Sequence, residues 1–255
     1  RTRAHRADRP RSPTAARPAG GRAELGFPIG SLPEEVAVRI GIIGAGNIGG
    51  NLTRRFVELG HEVRIANSRG PETLRDLAAE TGATPVVAAE AGSGADFLVV
   101  TVPEFRVPDL PEGLTDGLVP GAPLVDTGNY YPRRDGRIDD IEAGTTESRW
   151  VERQLGYPVV KAFNTMYAQH LLDRQRPPGA PDRLALPVAG DDPAAKDAVM
   201  RLVDELGFDP VDAGGLDESW RQQPGTPVYV TDLDAAGVRA ALAAASPERP
   251  AGFRG

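Results

Sequence analysis

Short, mostly apolar runs alternate along the chain with segments in which apolar residues recur every three or four positions. Between the first two runs, residues 48–59 carry Leu52, Phe56 and Leu59 at helical spacing, which predicts a helix with one buried face. Buried strands that alternate with helices are typical of an α/β fold with a doubly wound parallel sheet. The six runs that we interpret as strands of this sheet are residues 40–43, 62–66, 84–87, 97–102, 123–126 and 157–163.

A second, smaller set of elements follows residue 180. Residues 184–189 have the composition of a strand, and Asp192 before Pro193 is a good N-terminal cap for a helix that continues to Leu206. A short strand at 210–212 and an alanine-rich helix at 235–245 complete the set. We therefore predict a main domain at residues 36–180 and a small C-terminal α/β extension at residues 181–255.

Residues 1–35 differ from the rest of the chain. They contain seven arginines up to Arg22, repeated proline and alanine, and no apolar periodicity. Such a composition cannot bury enough apolar surface to offset the entropy of ordering, so we predict a disordered lead. A basic arm that binds nucleic acid and an over-long translation start are the alternatives.

The overall composition excludes several classes of protein. The formal net charge of −7 does not suit non-specific binding of nucleic acid, and the absence of cysteine excludes disulfides and thiolate-bound metals. The longest apolar stretch, near residues 97–102, is too short to span a bilayer. We expect a cytoplasmic protein with no metal site that binds neither nucleic acid nor a membrane.

The turn between the first strand and the first helix reads Gly-Ala-Gly-Asn-Ile-Gly, a G-x-G-x-x-G motif. In this context the motif marks the dinucleotide-binding turn of a Rossmann-type fold. Its glycines let the backbone approach a pyrophosphate, and the helix N-terminus presents free N–H groups. The alternative is an ordinary turn that needs three glycines. We predict dinucleotide contacts from Gly44, Ala45, Gly46, Asn47, Ile48 and Gly49.

The tip of the second strand distinguishes NADP from NAD. NAD-binding sites usually have Asp or Glu there, whereas this chain has Asn67, Ser68 and Arg69. Arg69 can hold a 2′-phosphate with two N–H groups, and the hydroxyls of Ser68 and Thr73 can add hydrogen bonds. One charge-assisted hydrogen bond contributes about 1.5–3 kcal/mol, which predicts an about tenfold to hundredfold preference for NADP. The alternative is that Arg69 is a solvated loop arginine.

Residues at the carboxyl ends of the later strands should line the same crevice. We expect Thr101, Val102 and Pro103 to lie beside the cofactor. Asp126, at the end of the fifth strand, is either catalytic or a residue that fixes the following loop, and we favour the second role. That loop contains Asn129, a candidate substrate ligand.

Two residues after the sixth strand have two open interpretations each. Asn164 can bind a carbonyl or ring nitrogen of a ligand, or it can cap the next helix. Met166 is flexible and polarizable, so it can lie against a planar ring or fill space in the core.

The motifs together resemble a known family, that of the coenzyme F420-dependent NADP oxidoreductases. The resemblance extends over about residues 38–221 and rests on the glycine motif, the Ser-Arg pair, the strand ending Thr-Val-Pro, VVKAFNT, PVAGDDPAAKDAVMRLVDELGFDPVDAG and the following Ser-Trp-Arg. VVKAFN also resembles the oxidoreductase domain of the STEAP ferric reductases, which share this fold. The archaeal members have His in place of Asn164 and an aliphatic residue in place of Met166, and the similarity fades beyond Arg221.

The resemblance implies a set of ligand positions. NADP would lie across Ala45–Ile48 with its 2′-phosphate on Ser68 and Arg69. The deazaflavin ring of coenzyme F420 would stack on the nicotinamide near residues 164–168, which makes Asn164 and Met166 candidate substrate ligands and Ala168 a candidate cofactor ligand. The resemblance also implies a homodimer in which the C-terminal part completes the deazaflavin pocket.

The candidate acid–base residues are few. Hydride transfer between two stacked rings needs no acid or base at the reacting carbon, whereas ketone reduction needs a proton donor. Of the three histidines, His5 lies in the predicted disordered lead, and we expect a structural role for His61 in the turn before the second strand and a helix-surface position for His170. We expect Lys161 to pair with a carboxylate. We therefore predict no catalytic side chain.

Three functions fit this sequence. The first is hydride exchange between NADP(H) and coenzyme F420. The second is NADPH-dependent reduction of a flavin, a ferric complex or a small imine or carbonyl compound. The third is a non-catalytic NADP-binding sensor.

Overall fold

A six-stranded parallel sheet organises residues 37–254, the part of the chain that the computed structural model describes. The strands lie in the spatial order β3-β2-β1-β4-β5-β6, which confirms the predicted doubly wound α/β fold. The predicted disordered lead, residues 1–35, lies outside the described residues. The strands are β1 (Arg39–Ile43), β2 (Glu62–Ala66), β3 (Thr84–Pro85), β4 (Phe97–Val100), β5 (Leu124–Asp126) and β6 (Val159–Lys161).

Helices cover both faces of this sheet. They are α1 (Asn47–Glu58), α2 (Arg75–Thr81), α3 (Pro132–Asp135), α4 (Asp139–Glu142), α5 (Glu147–Leu155) and α6 (His170–Asp173). Phe56 of α1 is buried in one hydrophobic cluster with Val99 of β4, and Trp150 of α5 is buried in a second cluster with Leu98 and Val100. Successive residues of β4 thus face opposite sides, which explains why its apolar run is unbroken.

The C-terminal part adds a two-stranded parallel sheet and two helices. Its elements are β7 (Ala185–Val188), α7 (Pro193–Glu205), β8 (Asp209–Asp212) and α8 (Ala235–Ala243). Asp192 Oδ1 accepts a hydrogen bond from Ala194 N at 2.8 Å, which confirms the predicted cap of α7. Val199 and Val203 of α7 lie in the same hydrophobic cluster as Phe56, so this part shares a core with the main sheet.

Some boundaries differ from those that the sequence predicts. The predicted strand at residues 157–163 is shortened to β6, because the backbone of Phe163 has a φ of 63° and leaves the extended conformation. The sequence pattern did not identify α5, although Thr146 caps it by accepting a hydrogen bond from Arg149 N. None of the described helices has the length and apolar composition needed to cross a membrane.

Candidate functional site

The candidate crevice lies where the strand order reverses. From β1 the chain moves outward through β2 and β3, and it then returns to β4 on the other side of β1 and continues to β6. Ligands of open α/β sheets bind outside the carboxyl ends of the strands at this switch point. The turns that follow β1, β4, β5 and β6 therefore form the candidate site.

The three motif glycines meet three different steric requirements. Gly44 has a φ of 107°, and a side chain there would lie 2.5 Å from Thr101 O. A Cβ on Gly49 would lie 1.8 Å from Gly44 O, so the helix can pack against the turn only without a side chain. A Cβ on Gly46 would meet no heavy atom within 4 Å. The second glycine thus keeps space open for a ligand, while the first and third let the turn close.

The N-terminus of α1 is suited to bind a phosphate group. Gly46 provides no side-chain cap, and the first turn of the helix contains no acidic residue. Its first N–H groups are therefore available, and the helix dipole adds a partial positive charge. Thr101 Oγ1 donates a hydrogen bond to Gly44 O at 2.8 Å, which fixes the turn against the end of β4. Val102 and Pro103 follow, both partly accessible.

The loop after β2 is shaped by Asn67. Its Oδ1 accepts a hydrogen bond from Arg69 N at 2.9 Å, and its Nδ2 donates to Thr73 Oγ1 at 2.9 Å. Thr73 Oγ1 in turn donates to Gly70 O at 2.8 Å. Thr73 therefore stabilises the loop itself, and its contact with a 2′-phosphate stays a prediction.

Ser68 and Arg69 are both exposed at the tip of this loop. Within residues 37–254, the guanidinium of Arg69 forms no ion pair. A free guanidinium and a hydroxyl at the end of β2, with no carboxylate at that position, are suited to a 2′-phosphate. These residues and the α1 N-terminus together fit NADP.

A buried ion pair lies beneath the loop that follows β5. Lys161 Nζ is 3.0 Å from Asp126 Oδ2, and both side chains are almost fully buried. Asp126 also accepts hydrogen bonds from Gly128 N at 2.8 Å and from Ser148 Oγ at 2.7 Å. The structure thus confirms that Asp126 fixes the following loop and that Lys161 pairs with a carboxylate.

Buried carboxyls around Lys161 stabilise its charged form. Burial acts to lower the pKa of Lys161, but the carboxyls of Asp126, Glu104 and Glu147 outweigh it and raise that pKa. Glu104 is fully buried, and neither carboxyl oxygen has a hydrogen-bond partner among the described residues. Burial, and then repulsion from Asp126, raise the pKa of Glu104 well above its usual value. Glu104 is therefore a candidate for a buried, uncharged carboxylic acid.

The side chain of Asn164 is held by protein groups. Its Nδ2 donates to Asn129 Oδ1 at 3.1 Å and to Gln222 O at 2.6 Å, and its Oδ1 accepts from Gln222 Nε2 at 3.0 Å. Asn129 Nδ2 also donates to Asn164 O at 3.1 Å. These bonds form an amide brace that joins the ends of β5 and β6 to the C-terminal part.

The start of the next helix tests whether Asn164 is a helix cap. The next helix, α6, begins at His170 and has no side-chain cap, so the helix-cap interpretation is wrong. The amide is already satisfied by Asn129 and Gln222, and direct binding of substrate by Asn129 and Asn164 stays a prediction.

The segment that follows, residues 164–168, is here called the acceptor loop. Met166 packs partly against the main hydrophobic cluster. Asn51 Nδ2 of α1 donates to Ala168 O at 2.8 Å, and Val230 N donates to Thr165 O at 2.8 Å. The loop therefore extends from the end of β6 to the first turns of α1, and it runs beside the crevice.

Two strained residues support the acceptor loop. Phe163 and Val230 have φ values of 63° and 51°, and they are the only described non-glycine residues with positive φ. Such conformations cost about 1–3 kcal/mol each and cluster at ligand sites. Phe163 directly precedes the loop, and Val230 binds it.

Comparison with known proteins agrees with this geometry. A family model described as NADP oxidoreductase, coenzyme F420-dependent, matches residues 39–130. The hypothetical protein SMa0349 of Sinorhizobium meliloti is 31% identical in sequence and superposes with a TM-score of 0.65, and the match covers 78% of this chain and 95% of that one. The chain belongs to this F420-dependent NADP oxidoreductase family. It is thus a Rossmann-fold member of a family of NADP-dependent oxidoreductases.

Two further relatives differ in how much of the chain they match. A provisionally assigned F420-dependent NADP reductase from Arthrobacter sp. FB24 is 26% identical with a TM-score of 0.58, and the match covers 70% of this chain and 86% of that one. The Escherichia coli (strain K12) protein YjhV is 55% identical over 67 residues, which are 26% of this chain. This chain spans 49% of the length of YjhV.

Sequence reasoning missed three residues that shape the site of this family member. Asn51 and Gln222 position the acceptor loop, and Glu104 lies under the loop after β5, where a Cβ on Gly128 would be 2.7 Å from Glu104 Oε1. Asn51 lies two residues beyond the glycine motif, which is a weak signal for a role near the cofactor. Nothing in the sequence marks Gln222, because it is 58 residues from its partner.

Proposed function

We propose that this chain transfers hydride between NADP(H) and the deazaflavin coenzyme F420. Membership of the family and the arrangement of charged groups at the crevice support the proposal. Lys161, Asp126, Glu104 and Tyr130 are the titratable residues in the strands β4 to β6 or within four positions after them, and all four are buried. Lys161 and Asp126 also pair with each other. Because these acids and bases are buried, they are not exposed to exchange a proton with a substrate, which favours ring-to-ring hydride transfer.

Each half of the crevice has a role in this reaction. The α1 N-terminus would bind the pyrophosphate, and Ser68 and Arg69 would bind the 2′-phosphate. The reaction moves a hydride from C4 of the dihydronicotinamide to C5 of the deazaflavin, and a proton from solvent completes the reduction of the deazaflavin. The chain would hold the two rings in contact and exclude water, so that orientation provides most of the catalysis.

The acceptor loop would provide the second half of the site. Its two hydrogen-bonded anchors and its strained flanking residues fix its shape before the acceptor arrives. Preorganisation of this kind reduces the entropy lost on binding. On the family resemblance we further propose a homodimer that acts in the cytoplasm and whose C-terminal part completes the acceptor pocket.

One observation favours a second candidate function. His170, two residues beyond the acceptor loop, has its Nδ1 3.2 Å from Asp232 Oδ1. A histidine held by a carboxylate can deliver a proton, which the reduction of a small imine or carbonyl compound would require. Reduction of a flavin or a ferric complex would not need that proton.

A spectrophotometric assay separates these functions. The purified protein is mixed with NADPH, or with NADH as a control, and then with coenzyme F420, FMN, FAD, a ferric chelate or a cyclic imine. We expect loss of absorbance from both NADPH and oxidised F420 at equal rates. Reduction of a flavin or an imine without reduction of F420 would refute the proposal. Tight NADPH binding without oxidation by any acceptor would instead indicate a sensor.

A further inference from the structure

Tyr167 is an exposed aromatic residue in the middle of the acceptor loop. Three large apolar side chains are exposed in the described part of the chain: Val87 at 45%, Phe105 at 38% and Tyr167 at 57%. A large exposed aromatic side chain on an anchored loop beside a ligand crevice is a candidate ligand contact. Tyr167 also lies between the two anchors of the loop, Thr165 O and Ala168 O.

Neighbouring side chains hold the ring of Tyr167 in place. The ring of His170 packs against it edge to face, with centroids 5.3 Å apart and an interplanar angle of 72°. Asp232 Oδ1 is 3.2 Å from His170 Nδ1, and Asp232 Oδ2 is 3.0 Å from Arg174 Nη1. One side of the phenol is thereby supported, while more than half of its surface stays accessible.

The backbone beneath Tyr167 also has a fixed shape. Phe163 and Val230 adopt positive φ on either side of the loop, and Val230 N bonds Thr165 O at 2.8 Å. Asn51 ties the other end of the loop to α1, two residues after Gly49. The backbone that carries the ring of Tyr167 is therefore anchored at both ends beside the crevice.

We propose that Tyr167 is the platform on which the planar ring of the acceptor, a deazaflavin or flavin, stacks. The inference rests on the proposed function and names the residue that binds the second ring. Aromatic pairs prefer offset or edge-to-face contacts, and tyrosine loses little conformational freedom on binding. Tyr167 acts in binding and orientation only, since the hydride passes between the two bound rings.

The test measures acceptor binding and NADPH binding separately. Calorimetric titrations compare wild type with Tyr167→Ala, Tyr167→Phe and Val87→Ala. Each protein is titrated with NADPH alone, and then, saturated with NADP⁺, with F420 and with FMN. We expect Tyr167→Ala to weaken binding of the deazaflavin or flavin about tenfold, as the loss of one aromatic stacking contact predicts. Tyr167→Phe keeps the ring and should bind within about twofold of wild type. Val87→Ala removes an exposed apolar side chain on the turn after β3 and should change nothing.

Several outcomes would overturn the inference. Equal acceptor affinity in Tyr167→Ala and wild type would refute it, and so would an equal loss of NADPH affinity in that variant. A shift of Tyr167→Ala to a smaller species in sedimentation, with acceptor affinity unchanged, would assign the ring to an interface between copies. If wild type binds neither a deazaflavin nor a flavin, the proposed function itself is wrong. If wild type binds the acceptor and Tyr167→Ala binds it equally well, only the role of Tyr167 is wrong.

Discussion

The nucleotide half of the crevice and the acceptor half are built in different ways. The nucleotide half consists mainly of backbone from one continuous stretch, where Gly44, Gly46 and Gly49 leave space and the N-terminus of α1 presents N–H groups. The acceptor half depends on side-chain amides from distant segments, since Asn164 bonds Asn129 and Gln222. A pyrophosphate needs only N–H groups and space, whereas a loop that positions a ring needs support from several directions.

The difference extends to what lies beneath each half. Under the nucleotide half is an ordinary apolar core, with Leu52 and Phe56 of α1 against the sheet. Under the acceptor half are buried titratable side chains, namely the paired charges of Lys161 and Asp126 and the uncharged carboxyl of Glu104. Buried charges are stable only when paired or neutralised, so substitutions there should affect the free energy of unfolding more than substitutions at the nucleotide half.

The largest expected effect concerns Lys161. Replacing it with Met removes the cation 3.0 Å from Asp126 and leaves that carboxylate buried without a charge partner. We expect the free energy of unfolding to fall by about 3–5 kcal/mol in urea denaturation. The control is Lys196→Met, because Lys196 pairs at 2.7 Å with Asp212, whose side chain is about half exposed, and should lose about 1 kcal/mol or less. Equal losses in the two variants would contradict the comparison.

The next effect concerns cofactor choice. Arg69→Ala should weaken NADPH binding about tenfold to hundredfold while leaving NADH binding and stability unchanged, because only NADPH carries the 2′-phosphate. Calorimetric titration with both cofactors measures this. The control is Arg39→Ala, an exposed arginine at the amino end of β1, whereas the crevice lies at the carboxyl ends of the strands, and it should alter neither affinity. An equal loss of affinity for NADPH and NADH would refute the assignment of Arg69 to the 2′-phosphate.

Two alanine substitutions test the different steric roles of Gly49 and Gly46. Gly49→Ala forces Gly44 O to move and should cost about 1–3 kcal/mol of stability together with NADPH affinity. Gly46→Ala has free space in the protein and should cost less than about 1 kcal/mol, yet it should lower NADPH affinity at least about tenfold. Thermal melting and NADPH titration separate the two. If Gly46→Ala binds NADPH normally, the ligand does not lie over Gly46.

The last expected effect is a pH dependence due to Glu104, and it is small for each unit of pH. Burial raises the pKa of Glu104 in the folded chain, so above about pH 4.5 the unfolded chain releases a proton that the folded chain retains. Stability should therefore fall as pH rises above about 4.5 towards the raised pKa of folded Glu104, by at most about 1.4 kcal/mol per pH unit from this group. Glu104→Gln cannot ionise, so its stability relative to wild type should rise with pH in urea denaturation.

An exposed carboxyl provides the control for that measurement. The hydrogen bond from Arg54 lowers the pKa of Glu80, so the contribution of Glu80 is fully present above its unfolded pKa and is lost only as pH falls through its folded pKa. Glu80→Gln should therefore differ from wild type by a constant amount between pH 5 and 8. Parallel stability curves for Glu104→Gln and wild type would show that Glu104 is ionised in the fold.

The sequence by itself determined the features that depend on neighbours along the chain. The alternating strands and helices follow from local apolar periodicity, and the glycine motif together with Ser68 and Arg69 lies within a single strand–helix–strand unit. Each of these signals is complete within about thirty residues, so no long-range contact is needed to read them.

Only the tertiary structure decided the acceptor half. The partner of Asn164 is 58 residues away at Gln222, and the partner of Asp126 is 35 residues away at Lys161. The exposure of Tyr167 also depends on where Asn51 and Val230 hold the loop, 117 and 65 residues from the groups that they bind. Hydrogen bonds between distant segments leave no periodic pattern in the sequence, because they form only when the sheet brings the strand ends together.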